Sequence, residues 1–235
     1  MTPLVYLHGW ENLKSQLYSV EWVNGHTLKD LKNITQSFNK NNEINSSNDE
    51  IIQIDYETNC LLDPELNDLK KRKPFFSKGL LNKIDSKKFC KKNKYDLNFD
   101  DNIFSKKNHK KNISKAKEYI LNGDIFQINL CRLITGSFIG CPRTLALEML
   151  KFHNPKYGCY LEQRTNNGWR IIISLSPECF FKANFTKNLI YTYPMKGTLG
   201  INHPKHMLIN SKKDLAELNM ITDLMRNDLG RISKP

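Results

Sequence analysis

The chain has 235 residues, enough for one large domain or two small ones around a buried core, and its 39% apolar content is that of a folded globular protein. No apolar run approaches the roughly 20 residues that span a bilayer, and Met1 to Trp10 lacks the basic-then-apolar order of a secretory leader, so a cytoplasmic, membrane-free protein is expected. The formal charge of +12 suits a nucleic-acid binder, yet the lysines crowd between Lys70 and Lys117, alternate with asparagine and accompany no helix-turn-helix, finger or RNP-like motif. We read a compositional drift and expect no nucleic-acid partner.

The six cysteines, Cys60, Cys90, Cys131, Cys141, Cys159 and Cys179, form no CxxC pair and have no histidine at metal spacing, which excludes a zinc motif and a disulfide framework. They read as reduced, mostly buried thiols.

In chain order, Val5 to Leu7 and Leu17 to Val23 read as short strands. The polar stretch from Asn39 to Asn48 has nothing to bury and reads as a loop. Ile51 to Tyr56 offers another strand, and Lys70 to Lys111 yields no period. From Asn112 the apolar residues Ile113, Ala116, Ile120 and Leu121 recur at helical spacing, and Asn122-Gly123 supplies a stop. Phe126, Ile128 and Leu130 then alternate with polar or small residues, the period-two signature of a half-buried strand. Pro142 opens a helix through Leu150, with Pro155 beyond its end. Tyr157 to Gln163 and Trp169 to Leu175 flank Asn166-Asn167-Gly168 and read as a hairpin. A strand from Leu189 to Tyr193 runs into Pro194-Met195-Lys196-Gly197-Thr198, and a last helix spans Ser211 to Arg226. Antiparallel β-sheets with packed helices make the fold class α+β.

Four residues in the second half have the chemistry of a site. Lys196 lies at a strand mouth between Pro194, which stiffens the entry, and Gly197, which allows close approach of a ligand. Partial burial there would make its amine a nucleophile, and a solvated strand-end lysine is the alternative. Glu178, just past the hairpin, is either a proton relay to a lysine or an ordinary surface carboxylate. Asp214 and Glu217, three apart, share one helix face, as two ligands of one divalent cation would. Equally, that face is a solvated one, with Lys213 and Glu217 paired one turn apart.

Read together, four blocks resemble the chorismate-binding enzymes. They are Ala116 to Leu130 (AKEYILNGDIFQINL), Leu175-Ser176-Pro177-Glu178, Pro194-Met195-Lys196-Gly197-Thr198, and Ser211 to Glu217 followed by Met220 to Arg231 (MITDLMRNDLGR). They cover Asn112 to Arg231. The lysine within Pro-Met-Lys-Gly-Thr is similar to that of the aminodeoxychorismate synthase component I type, where anthranilate synthase component I has a small alanine. The resemblance implies that Lys196 attacks the chorismate ring and displaces its hydroxyl, with Glu178 as acid/base neighbour. It implies that Gly197 and Thr198 contact substrate, and that Asp214 and Glu217 belong to an Mg²⁺ region. A glutamine amidotransferase subunit would supply ammonia, and the product would be 4-amino-4-deoxychorismate.

Two departures qualify the resemblance. Leu218-Asn219 stands where the family has asparagine or histidine and then an apolar residue, and the blocks that complete the family's pockets lie beyond Arg231. The expectation is therefore a degenerate component I type region over 1–111 and the first part of a catalytic domain over 112–235. Such a chain would be inactive alone, served by a separately encoded C-terminal fragment, or a non-catalytic remnant. An anthranilate synthase component I with an unusual lysine is the further alternative.

Overall fold

In the computed structural model, the described residues are 2–10, 15–40, 49–61, 75–89, 93–100, 105–131, 133–184 and 186–233, without the side chains of 35 and 37–40. They form two compact units, one built from 1–89 with 146–235 and a smaller one from 90–145.

The larger unit is organised by one six-stranded antiparallel sheet in the order β3-β4-β2-β1-β7-β8. Its strands are β1 (Leu4–His8), β2 (Gln16–Gly25), β3 (Asp49–Ile54), β4 (Phe76–Ile84), β7 (Tyr157–Thr165) and β8 (Gly168–Ser176). Helix α1 (Leu28–Lys40) follows β2. Strand β1 pairs with β2 on one side (Val5 opposite Tyr18) and with β7 on the other (Val5 opposite Leu161). That junction is the core: Val5, Tyr18, Val20, Leu81 and Leu161 are buried together, with Leu7, Trp22, Ile51, Cys159 and Ile172 against them. The opposite face of β1 and β7 buries aromatics, since Phe89 stacks on Tyr6 at 4.6 Å and meets Tyr160 edge-on at 5.1 Å.

The expected strands at both ends of this sheet form, and β7 and β8 close on the Asn166-Asn167-Gly168 turn with Thr165 opposite Gly168. Gly168 has φ +119°, the conformation for which the turn reading called. The stretch 70–111, read as aperiodic, instead contains β4, which lies between β2 and β3 inside the sheet. Its buried positions include Ser77 and Gly79, which carry no hydrophobic signal. A Cβ on Gly79 would lie 2.5 Å from Val20 Cγ2, so glycine there makes room for the core. Lys78 is neutralised across the sheet by Glu50 at 2.8 Å. The polar stretch 39–48 is partly the end of α1 and otherwise outside the described residues.

A buried carboxylate pins the first strand to β7. Glu162, 4% exposed, accepts from the Leu4 N–H at 3.0 Å and from the Tyr160 hydroxyl at 2.7 Å. The Trp22 indole N–H donates to the Glu162 carbonyl at 2.7 Å.

The smaller unit pairs β5 (Tyr95–Phe99) with β6 (Gly136–Gly140) and carries α2 (Lys106–Leu121) and the start of α3 (Pro142–His153). Helix α2 begins six residues before the periodic stretch, because Ser105 caps it by accepting from the Asn108 N–H at 3.2 Å. Phe126 to Leu130 is not a strand. Its alternation is real, but no described strand pairs with it, and Phe126 is 87% exposed.

Beyond β8 the chain forms a small hairpin, β9 (Lys182–Asn184) with β10 (Leu189–Tyr191), then α4 (Lys205–Ile209) and α5 (Lys212–Gly230). The expected strand over 189–193 therefore stops at Tyr191, and the last helix runs four residues past Arg226. The described cysteines are thiols outside any disulfide, with Cys60 buried, Cys131 exposed and the others half-buried, which corrects the expectation of mostly buried thiols. Burial pushes the Cys159 thiol above its ordinary value. No helix among the described residues is long and apolar enough to cross a membrane.

Tyr160→Phe keeps the ring packing and removes one donor from the buried Glu162 carboxylate. It is expected to lower stability by about 1–3 kcal/mol, read from urea unfolding of the purified chain.

Candidate functional site

Three segments of the larger unit converge beyond the end of β8. The first is Ser176-Pro177-Glu178. The Ser176 hydroxyl accepts from the Glu178 N–H at 3.3 Å and donates to the Glu178 carbonyl at 2.8 Å, a local turn that fixes where the glutamate begins. The second is the return from the β9–β10 hairpin. Here the Thr192 hydroxyl donates to the Phe180 carbonyl at 2.8 Å, and the Met195 N–H donates to Glu178 Oε1 at 2.9 Å. Glu178 thereby grips the backbone one residue before Lys196.

The third segment is the N-terminal part of α5. Ser211 caps it by accepting from the Asp214 N–H at 3.3 Å, the Ser-x-x-Asp pattern that favours helix starts. Asp214 and Glu217 then project from one face, as their spacing predicts. Glu217 Oε1 lies 3.4 Å from Lys196 Nζ. Gly197 has φ +80°, and a Cβ built there would sit 2.7 Å from Leu208 Cδ1 and 3.0 Å from Asp214 Cγ. The glycine is thus demanded twice, by backbone conformation and by the close approach of α4 and α5.

Five of the six residues singled out in the sequence are brought together in this way. Glu178 reaches Lys196 through the Met195 amide, Lys196 meets Glu217, and Gly197 packs on Asp214. Thr198 is exposed at the mouth of the cluster. Glu217 has Lys196 as a partner, a pairing that spacing along the helix does not suggest. The side chains of Lys196 and Glu217 are 24% and 30% exposed, so solvent screens the pair and its contribution is small, on the order of 1 kcal/mol or less.

Sequence reasoning missed Thr192, Leu208 and Ser211 as supports of this cluster. Ser211 had a legible signal in its capping pattern. Thr192 and Leu208 had none, because their parts depend on which segments meet.

Asp214 and Glu217 offer hard carboxylate oxygens, the donor class that Mg²⁺ prefers. Among the described residues, however, no group of three or more His, Cys, Asp or Glu side chains is placed to hold a metal ion. Two carboxylates, one of them already facing an ammonium, would supply only part of an octahedral Mg²⁺ shell, the remainder falling to water and substrate oxygens.

Antiparallel sheets with packed helices are the fold class that the four sequence blocks implied. Residues 26–235 match the chorismate binding enzyme family, and the chain belongs to that family. The match extends far upstream of Asn112, where the recognisable blocks begin. The chain is 32% identical over 148 residues to anthranilate synthase component 1 of Saccharolobus solfataricus, covering 60% of this chain and 34% of that protein. It is 35% identical over 126 residues to aminodeoxychorismate synthase component 1 of Escherichia coli, covering 51% and 26%. To anthranilate synthase component 1 of Buchnera aphidicola it is 33% identical over 210 residues, covering 76% and 37%. The chain thus spans about a third of the length of these relatives, which bear both names.

Gly197→Ala is expected to destabilise the chain by about 1 kcal/mol or more through its positive φ alone, with the Leu208 and Asp214 contacts adding to the loss. Thermal unfolding measures the first effect. Accelerated proteolysis between 192 and 205 would report the displaced loop.

Proposed function

We propose that this chain supplies the nucleophile-bearing part of an aminodeoxychorismate synthase component 1, acting on chorismate. The observation that carries the reading is Lys196. It stands in Pro-Met-Lys-Gly-Thr, half-buried, facing Glu217, on a backbone held by Glu178 and followed by a glycine in the left-handed conformation.

In this reading the free amine of Lys196 attacks the chorismate ring and forms a C–N bond to it as the ring hydroxyl is displaced. The C–O bond breaks, and the oxygen leaves as water after taking a proton, for which Glu178 is the nearby carboxyl group. Ammonia then forms a new C–N bond at the carbon that bore the hydroxyl, and lysine leaves the ring with its electron pair restored, giving 4-amino-4-deoxychorismate. The amine must be deprotonated to attack. Glu217 faces the amine in the resting site, so substrate entry has to loosen that pair.

Asp214 and Glu217 are the residues that would meet Mg²⁺, together with water and substrate oxygens, and a bound ion would neutralise a substrate carboxylate. A glutamine amidotransferase subunit is the proposed ammonia donor. A polypeptide carrying the family's further blocks is the proposed complement of the site.

The second reading is anthranilate synthase component 1, favoured by the names of the Saccharolobus and Buchnera relatives. Against it stands the lysine at 196, where the resemblance gives that enzyme an alanine. A non-catalytic remnant is the third.

A product assay separates them. The chain is incubated with chorismate, Mg²⁺ and ammonia, with and without a C-terminal fragment of a related enzyme. The proposal expects 4-amino-4-deoxychorismate, and its loss by at least about a hundredfold in Lys196→Ala, as for removal of a covalent nucleophile. Anthranilate as product would establish the second reading. No product from a folded chain supplied with the fragment would establish the third.

A further inference from the structure

The β9–β10 hairpin does not end its pairing at its last strand residue. Lys182 lies opposite Tyr191 in the ladder. Below that pair, side chains take over the cross-links between the two legs. The Thr192 hydroxyl reaches the Phe180 carbonyl at 2.8 Å, and the Glu178 carboxylate receives the Met195 N–H at 2.9 Å. The Ser176 hydroxyl, bonded to both the N–H and the carbonyl of Glu178, fixes the lower end of the leg to the end of β8.

The ladder stops at the Lys182–Tyr191 pair, and further down the legs fewer backbone donors are available. Pro177 and Pro194, one on each leg, lack an N–H. Continued down the legs, the register of the ladder would set Pro194 opposite Cys179 and Pro177 opposite Lys196, so each proline removes a donor at a different level of the base. The hydroxyl of Thr192 and the carboxylate of Glu178 supply the missing rungs, one above and one below the level of Pro194. Lys196 and Gly197 follow directly.

We propose that Thr192 is a positioning residue for Lys196, acting through the Phe180 carbonyl to keep the two legs in register, with Ser176 anchoring the lower rung. This rests on the reading of Lys196 as the reactive amine. The required chemistry at 192 is a hydroxyl donor, so serine should serve and valine, of nearly the same shape, should not.

The test needs no turnover, so its failure is distinct from failure of the proposed function. Thr192→Val, Thr192→Ser and the parent chain are compared by hydrogen exchange over residues 192–198 and by the rate at which an amine-specific acylating reagent modifies Lys196 relative to Lys212. Loss of one hydrogen bond predicts exchange about fivefold faster at Met195 in Thr192→Val, with Thr192→Ser within about twofold of the parent. The Lys196 to Lys212 modification ratio should move in the valine variant alone. Exchange and modification unchanged in Thr192→Val, or changed equally in Thr192→Ser, would overturn the proposal. Circular dichroism confirms that both variants keep the parent fold, and a valine variant that fails to fold where serine folds counts for a hydroxyl requirement. Ser176→Ala against Ser176→Thr repeats the comparison at the lower rung, with the same expected direction.

Discussion

The larger unit depends on five residues of β1 lying between two hairpins that are far apart in sequence. Strand β1 hydrogen-bonds to β2 on one edge and β7 on the other, and Val5 is fully buried where the three strands meet. The carboxylate of Glu162 reinforces the joint by taking the Leu4 N–H and the Tyr160 hydroxyl inside the fold. A buried carboxylate must have its lone pairs occupied or its desolvation is uncompensated. Glu162 therefore specifies the register as much as it stabilises it. The site inherits this constraint, since β8 hangs on β7 and its last residue, Ser176, sets Glu178.

Local chemistry then does the remaining work over short distances. A serine turn, a threonine rung and a glutamate grip on a backbone amide deliver Lys196 to the first turns of α5, and a glycine at φ +80° lets the helices approach. None of these contacts is strong singly. Their value lies in order, because a nucleophile misplaced by an ångström loses most of its advantage.

The hairpin of β7 and β8, the start of α3 and the face shared by Asp214 and Glu217 were legible in the sequence because each depends on spacing within one element. The placement of β4 was not, since Ser77, Lys78 and Gly79 belong in the sheet only once Gln163, Glu50 and Val20 are there to meet them. Phe126 to Leu130 shows the converse, a clean period-two pattern that forms no strand because hydrogen-bonding partners, not alternation, define one. The family resemblance named Glu178 as a neighbour of Lys196, whereas the contact with Glu217 depends on where α5 packs. The Thr192 rung exists only once the hairpin brings the Phe180 carbonyl opposite it.

The account's central claim is that Lys196 bonds covalently to the substrate ring, and intact mass analysis tests it most directly. The chain, supplied with the complementing fragment and Mg²⁺, is incubated with chorismate in the absence of ammonia, and the product is digested and mapped. An adduct of chorismate less one water on the peptide carrying Lys196, discharged when ammonia is added, is the predicted result. Turnover with ammonia but no adduct at Lys196, or an adduct that ammonia cannot discharge, would contradict it.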